Sequence, residues 1–195
     1  MTIKPKKSLG QNFLIDQNII KKISSLTKIN NKIVLEIGAG TGNLSSGILK
    51  QNPKKFFAIE KDKKLFLNLQ KQFSDKITFI NDDILKFDEY SLSKDKLTVF
   101  GNLPYNISTE ILSKWIINLK DDNFWFDSLT LMFQKEVANR ILAKFNTSNY
   151  GRLTVLANWK LDIEKICDVS PSCFSPKPKV ESSILFFKPK KYFLK

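Results

Sequence analysis

The stretch KIVLEIGAGTGNL (residues 32–44) constrains the fold more than any other part of the sequence. Its first half is a short continuous apolar run, the pattern of a strand buried on both faces. Gly38, Gly40 and Gly42 follow at two-residue spacing, and a helical pattern, GNLSSGILKQN, begins at the last of them. A buried strand that turns tightly into a helix is the opening unit of a parallel α/β sheet. The alternation then continues. KFFAIEKD, KITFIND, KLTVFGN and FDSLTLMFQ read as strands, and KKLFLNLQKQF, STEILSKWIINL and KEVANRILAKF as helices. A further helix, DQNIIKKISSLTKI, starts at Asp16 behind a good N-cap. LTVLANWKLDIEKI and SSILFFKP read as closing β elements, and two consecutive late strands imply an antiparallel edge. The expected fold is α/β, one mainly parallel sheet in a single domain.

Composition removes several chemistries. The 195 residues contain no histidine, so His-activated nucleophiles, His proton shuttles and His metal ligands are out of reach. Cys167 and Cys173 are too few for an all-cysteine zinc site, and no metal is expected. Two cysteines do not make a disulfide scaffold, which fits a reducing, cytoplasmic setting. No apolar run is long enough to cross a bilayer. The formal charge is +13, which raises the expectation of a polyanionic partner, although a solvated basic surface has the same composition. An interfacial membrane role is the weaker reading of that charge.

The glycine turn departs from two phosphate-binding patterns. G-x-G-x-x-G would need glycine where Asn43 stands, and no G-K-[ST] follows. What remains is E-x-G-x-G-x-G from Glu36 to Gly42, suited to a neutral or zwitterionic adenosine ligand. Alone, it serves equally as a tight connection. Glu60 ends the second strand of the series and can accept both hydroxyls of a ribose. Asp83, in NDDIL, can accept from an adenine amino group, while strand alternation would turn Asp82 the other way. Open α/β sheets bind ligands at the carboxyl ends of their strands. S-adenosylmethionine (SAM) fits three such ends in succession.

The fourth strand end carries GNLPY. An exocyclic adenine amine is a poor nucleophile because its lone pair is conjugated with the ring. Acceptors that bind the amine protons draw that pair out of the plane. The Asn102 side-chain oxygen and the Leu103 carbonyl can act this way, with Pro104 restricting the residue before it. Tyr105 can stack on a flipped-out base. No strong base is needed against a sulfonium methyl donor, so the missing histidine costs nothing.

SLGQNFL, VLEIGAGTGNL, AIEKD, NDDIL, VFGNLPYNIS, QKEVANRI, YGRLTV and SCFSPKPKVESSI occur in that order between Lys7 and Phe187. Together they resemble the KsgA-type ribosomal RNA adenine N6-dimethyltransferases, more closely than the macrolide-resistance branch of the same superfamily. The resemblance implies a Rossmann-like SAM-dependent methyltransferase fold with a seven-stranded, mainly parallel sheet, an antiparallel edge strand and helices on both faces. It also implies an N-terminal arm over about residues 1–15, and Asn12 and Leu14 in that arm would border SAM. Gly38 would admit the methionine part, Glu60 would hold the ribose and Asp83 the adenine. Asn102 would face both cofactor and target base. Phe174 would stack on the target opposite Tyr105; without the resemblance it reads as a core residue. The implied reaction is dimethylation of two adjacent adenosines near the 3′ end of small-subunit rRNA, releasing S-adenosylhomocysteine. The implied partner is that rRNA within the assembling small subunit, met by a monomer. Such proteins usually continue into a small helical domain, which is expected to be absent beyond Lys195. Lysines of the arm (Lys4, Lys6, Lys7) and tail (Lys188, Lys190, Lys191) are expected to contact phosphates. A SAM-holding assembly factor without turnover is the reading from another class; NLPY argues against it.

Overall fold

The computed structural model describes residues 5–6, 9–119 and 123–192. Lys4 and Lys7 lie outside the described residues. The short strand β1 (Phe13–Leu14) opens the described fold, followed by α1 (Gln17–Ser25). Asp16 caps α1 by accepting from the Asn18 and Ile19 amides at 2.9 Å each. Strand β2 (Ile33–Ile37) is buried at every position and leads through the glycine turn into α2 (Asn43–Leu49). Then come β3 (Lys55–Ile59), α3 (Lys63–Phe73), β4 (Thr78–Ile80), β5 (Leu97–Asn102) and α4 (Ser108–Ile117). The second half runs β6 (Phe126–Gln134), α5 (Lys135–Ile141), α6 (Arg152–Lys160), β7 (Leu161–Val169), β8 (Phe174–Ser175) and β9 (Ser182–Pro189).

The seven-stranded sheet has the order β4-β3-β2-β5-β6-β9-β7. Pairing is parallel from β4 through β6, and β9 runs antiparallel to both β6 and β7. The reversed strand thus lies one place in from the edge. Alternation along the strands divides the core in two. Ile33, Leu35, Leu97, Val99, Leu129 and Leu131 face α4, α5 and α6, while Val34, Phe56, Ala58 and Phe100 face α1, α2 and α3. Helices therefore cover both faces, as parallel strands require.

The structure corrects one element. Leu153–Ile166 reads from sequence as a β element, but its first part is α6 and only Leu161 onward is strand. Leu153, Thr154, Ala157 and Lys160 are the buried residues of α6, a helical spacing that seats it on α4. β-branched and aromatic residues on its outer side mask that periodicity. A two-stranded sheet, β1 against β8, also appears. It pairs Leu14 with Phe174 and fastens the arm to the proline-rich loop.

Candidate active site

The parallel strands end together, and a cleft of about 900 Å3, its mouth included, opens over the ends of β2 to β5. Gly38 (φ +70°) and Gly40 (φ +59°) form its floor in left-handed conformations that favour glycine. A Cβ on Gly38 would meet nothing nearer than the Asn102 carbonyl oxygen at 3.8 Å, so conformation rather than crowding demands glycine there. On Gly40 it would come within 3.0 Å of the Phe13 ring, which the arm lays against the turn.

Glu60 follows β3 directly and is 6% exposed. Its Oε2 accepts from the Gly40 amide at 2.9 Å and its Oε1 from the Asp62 amide at 2.8 Å. The carboxylate so holds the glycine turn in shape. Burial raises its pKa, with the Asp62, Gly40 and Lys61 backbone amides opposing and the nearby Asp62 charge adding to the rise. Each oxygen keeps a second lone pair for a ligand hydroxyl.

Asp62, 4% exposed, caps α3 through the Lys64 and Leu65 amides. It also anchors the arm. Lys6 Nζ lies 2.8 Å from Oδ2, and Gln11 Nε2 donates to the same oxygen at 3.4 Å. Burial pushes the Asp62 pKa up, but the bonds from Lys6, the Lys64 amide and Gln11 outweigh it and leave the carboxyl below its ordinary value. Lys6, expected among the phosphate contacts, pairs with Asp62 here while its side chain stays half-exposed.

Asp83 binds Lys61 Nζ at 2.7 Å through Oδ2 and accepts from the Leu85 amide through Oδ1. The Lys61 bond keeps its carboxyl ionised below the usual range. Asp82 also borders the cleft, contrary to the alternation argument. The reason is that β4 ends at Ile80, so residues 81–83 form a turn with no strand alternation to obey.

Asn102 closes β5. Its Nδ2 donates to the Asn12 carbonyl at 2.8 Å, and among the described residues its Oδ1 has no recorded partner. Leu103 is buried at 1%, and the Pro104 carbonyl accepts from the Ile107 amide at 3.1 Å, closing a tight turn into α4. The Tyr105 hydroxyl lies 2.6 Å from Ser182 Oγ at the start of β9. Burial raises the Tyr105 pKa, the Ser182 bond partly opposing, so the ring stays neutral.

Asn12, Gly38, Glu60, Asp83, Asn102, Leu103, Pro104 and Tyr105 all line this one cleft. Leu14 lines a smaller adjoining cavity with Glu36, Asn43 and Asn102. Phe174 borders neither. It is 3% exposed and packs in the α1–α3 half of the core, so here it presents no open face to the cleft. The physical cause is the β1–β8 pairing, which turns its ring inward beside Leu14. Several wall residues escape sequence reasoning: Gln11, Phe13, Lys61 and Ile84 in the cleft, and Asp62 and Ser182 behind it. Lys61 and Asp62 sit beside Glu60 in AIEKD and were within reach; Ser182 is 77 residues from its tyrosine.

Among the described residues no cluster of three His, Cys, Asp or Glu side chains forms a metal site, and no helix is long and apolar enough to cross a membrane. Residues 2–194 match the family described as ribosomal RNA adenine dimethylase. A ribosomal RNA small subunit methyltransferase A from Pelagibacter ubique is 60% identical over all of this chain, which spans 74% of that protein's length. The protein of the same name from a Drosophila simulans Wolbachia is 44% identical over 96% of this chain and 69% of its own. A dimethyladenosine transferase structure from Plasmodium falciparum superposes with a TM-score of 0.80 at 34% identity, covering 92% of this chain and 64% of that one. The 23S rRNA methyltransferase ErmE has the same TM-score at 24% identity over 94% of this chain and 72% of its own, a likeness of fold. The chain belongs to the ribosomal RNA adenine dimethylase family of SAM-dependent methyltransferases.

Proposed function

We propose that this protein transfers methyl groups from SAM to the N6 amines of two adjacent adenosines near the 3′ end of small-subunit rRNA. The observation that carries the reading is the orientation of Asn102. With Nδ2 held by the Asn12 carbonyl, Oδ1 is left as an acceptor on the cleft wall beside Leu103. Two acceptors there are what an adenine amine needs to lose conjugation with its ring.

The cleft fits SAM. Gly38 and Gly40 offer bare backbone, Ile37, Ile59 and Ile84 offer apolar walls for a purine, and Glu60 and Asp83 offer acceptor oxygens. In this reading Glu60 takes the ribose hydroxyls, Asp83 the adenine amine, and Asn12 and Leu14 the methionine end. When bound, SAM supplies a methyl group on a sulfonium cation. Asn102 and Leu103 orient the target amine and raise its nucleophilicity, while Pro104 holds the turn. Tyr105 stacks on the base with its ring fixed by Ser182. The proton leaves the methylated amine afterwards, to solvent.

The chain is read as one methyltransferase domain acting as a monomer on rRNA in the assembling cytoplasmic small subunit. The homologues' names and the basic charge support an RNA substrate. The test is transfer of labelled methyl from SAM to undermethylated small subunits. Label in RNA with the parent, and labelling at least a hundredfold slower with Asn102→Ala, is expected; label absent with the parent refutes the reading.

A further inference from the structure

The longest acid-free stretch in the second half of the chain lies outside the cleft. From Val137 to Leu161 there is no Asp or Glu, yet Arg140, Lys144, Arg152 and Lys160 all fall there, including both arginines of the chain. Its middle, residues 144–152, is exposed at every position. Phe145 is 74% and Tyr150 41% exposed, and their rings meet edge to face at 5.6 Å.

This loop is tied down. The Thr147 amide and hydroxyl both donate to the Lys144 carbonyl, at 3.2 and 2.7 Å. The Tyr150 amide donates to the Thr147 carbonyl at 3.0 Å. Thr154 Oγ1 accepts from the Gly151 amide at 3.2 Å and donates to the Arg140 carbonyl at 2.6 Å. Asn146 takes a left-handed conformation (φ +64°) to close the turn. A held loop that shows two aromatic rings to water has prepaid the ordering cost of binding.

One exposed phenylalanine means nothing by itself. Aromatic rings set between cations, with no acid near them in sequence, match a chain of stacked bases joined by phosphates. Arginine suits such a partner because its planar guanidinium both stacks and pairs with phosphate. The chain's connectivity relates the loop to the cleft. It connects α5, which leaves the carboxyl end of β6, to α6, which packs on α4, the helix that follows Asn102–Tyr105.

We propose that the α5–α6 loop is a stacking platform that holds single-stranded RNA beside the cleft, with Phe145 and Tyr150 under bases and Arg140, Lys144 and Arg152 on phosphates. This rests on the reading of the protein as one that works on RNA. It gives the substrate a second hold outside the adenosine pocket, so that a base can leave its stack while its neighbours remain supported.

The test uses the full chain and a fluorescently labelled single-stranded RNA twelve-mer. Phe145→Ala and Tyr150→Leu should each weaken RNA binding about five- to 150-fold, the range for one base–aromatic stack. Arg152→Gln should lower the slope of log affinity against log salt by about 0.7, one single-strand phosphate. SAM affinity and melting temperature should stay at parental values, since none of these side chains lines the cleft. RNA affinity unchanged in all three variants, or no RNA binding by the parent, overturns the platform. Methyl transfer to small subunits is scored separately. Transfer by the parent together with unchanged variant affinities keeps the proposed function and removes the platform. Weakened variants with no transfer by the parent do the reverse.

Discussion

Glu60→Gln removes a charge and almost no volume, which makes it the sharpest probe of the cofactor half of the cleft. In the parent both carboxylate oxygens already accept backbone amides, from Gly40 and Asp62. Glutamine keeps one acceptor and sets an NH2 group against the other amide, so one buried N–H loses its partner, at a cost of about 1–3 kcal/mol. Removing the charge also ends the desolvation cost that raises the Glu60 pKa, and the two changes offset in folding stability. They do not offset in binding. A ribose hydroxyl bonded to a carboxylate is worth about 1.5–3 kcal/mol, which at about 1.4 kcal/mol per tenfold is roughly 10- to 150-fold in affinity. The variant should therefore melt close to the parent and bind SAM at least tenfold more weakly by calorimetry. Affinity within twofold of the parent, in a folded variant, would remove Glu60 from the ribose site and leave it as a brace of the glycine turn.

Four further expectations follow from the same geometry. On the proposed role of Asn102 as an acceptor in the transition state, Asn102→Ala should cost about 10²–10³ in kcat at saturating SAM, read against SAM affinity measured in parallel. Tyr105→Phe and Ser182→Ala each break the same 2.6 Å bond, so each should raise KM for RNA by the worth of about 1 kcal/mol; the double variant should be no worse than either, and additive effects would show that the bond does not position the ring. Phe174→Leu should lower stability by about 1 kcal/mol, roughly 2–4 °C in melting temperature, and leave SAM affinity intact; unchanged melting with slowed transfer would assign the ring to the substrate. Glu36, 1% exposed and 2.5 Å from Ser45 Oγ, has its pKa pushed by burial from 4.5 to about 8, with the Ser45 bond opposing and Glu60 adding to the rise. The folded state then keeps a proton that the unfolded chain releases, so stability should fall as pH rises from about 4.5 to 8. Glu36→Gln should flatten that slope in pH-dependent thermal melts, and an unchanged slope would place the titration elsewhere.

The parts of this molecule legible in its sequence are those governed by local periodicity. The run at Val34, the glycine turn and the acids at Glu60 and Asp83 sit at strand ends, and strand ends in a parallel sheet meet by topology alone. What could not be read depends on contacts distant in sequence. No local pattern announces that Lys6 reaches Asp62, that Tyr105 reaches Ser182, or that Leu14 pairs with Phe174. Helix α6 was masked because Val155 and Trp159 face outward, where an amphipathic pattern would have polar side chains. Asp82 borders the cleft because β4 ends two residues before it, where strand alternation no longer holds. Phe174 shows the limit of a motif: SCFSPKPKV marks the loop, while the burial of its ring is set by a strand pairing with the arm.

In the proposed function, acceptors at Asn102 and Leu103 make this cleft a site for adenine N6 methylation. Mass spectrometry of nucleosides digested from undermethylated small subunits, after incubation with SAM and this protein, reads that chemistry. N6,N6-dimethyladenosine is expected with the parent at two adjacent positions near the 3′ end of the rRNA, and at least a hundredfold slower to form with Asn102→Ala. A methylated product at another atom, or dimethyladenosine undiminished in Asn102→Ala, would contradict it.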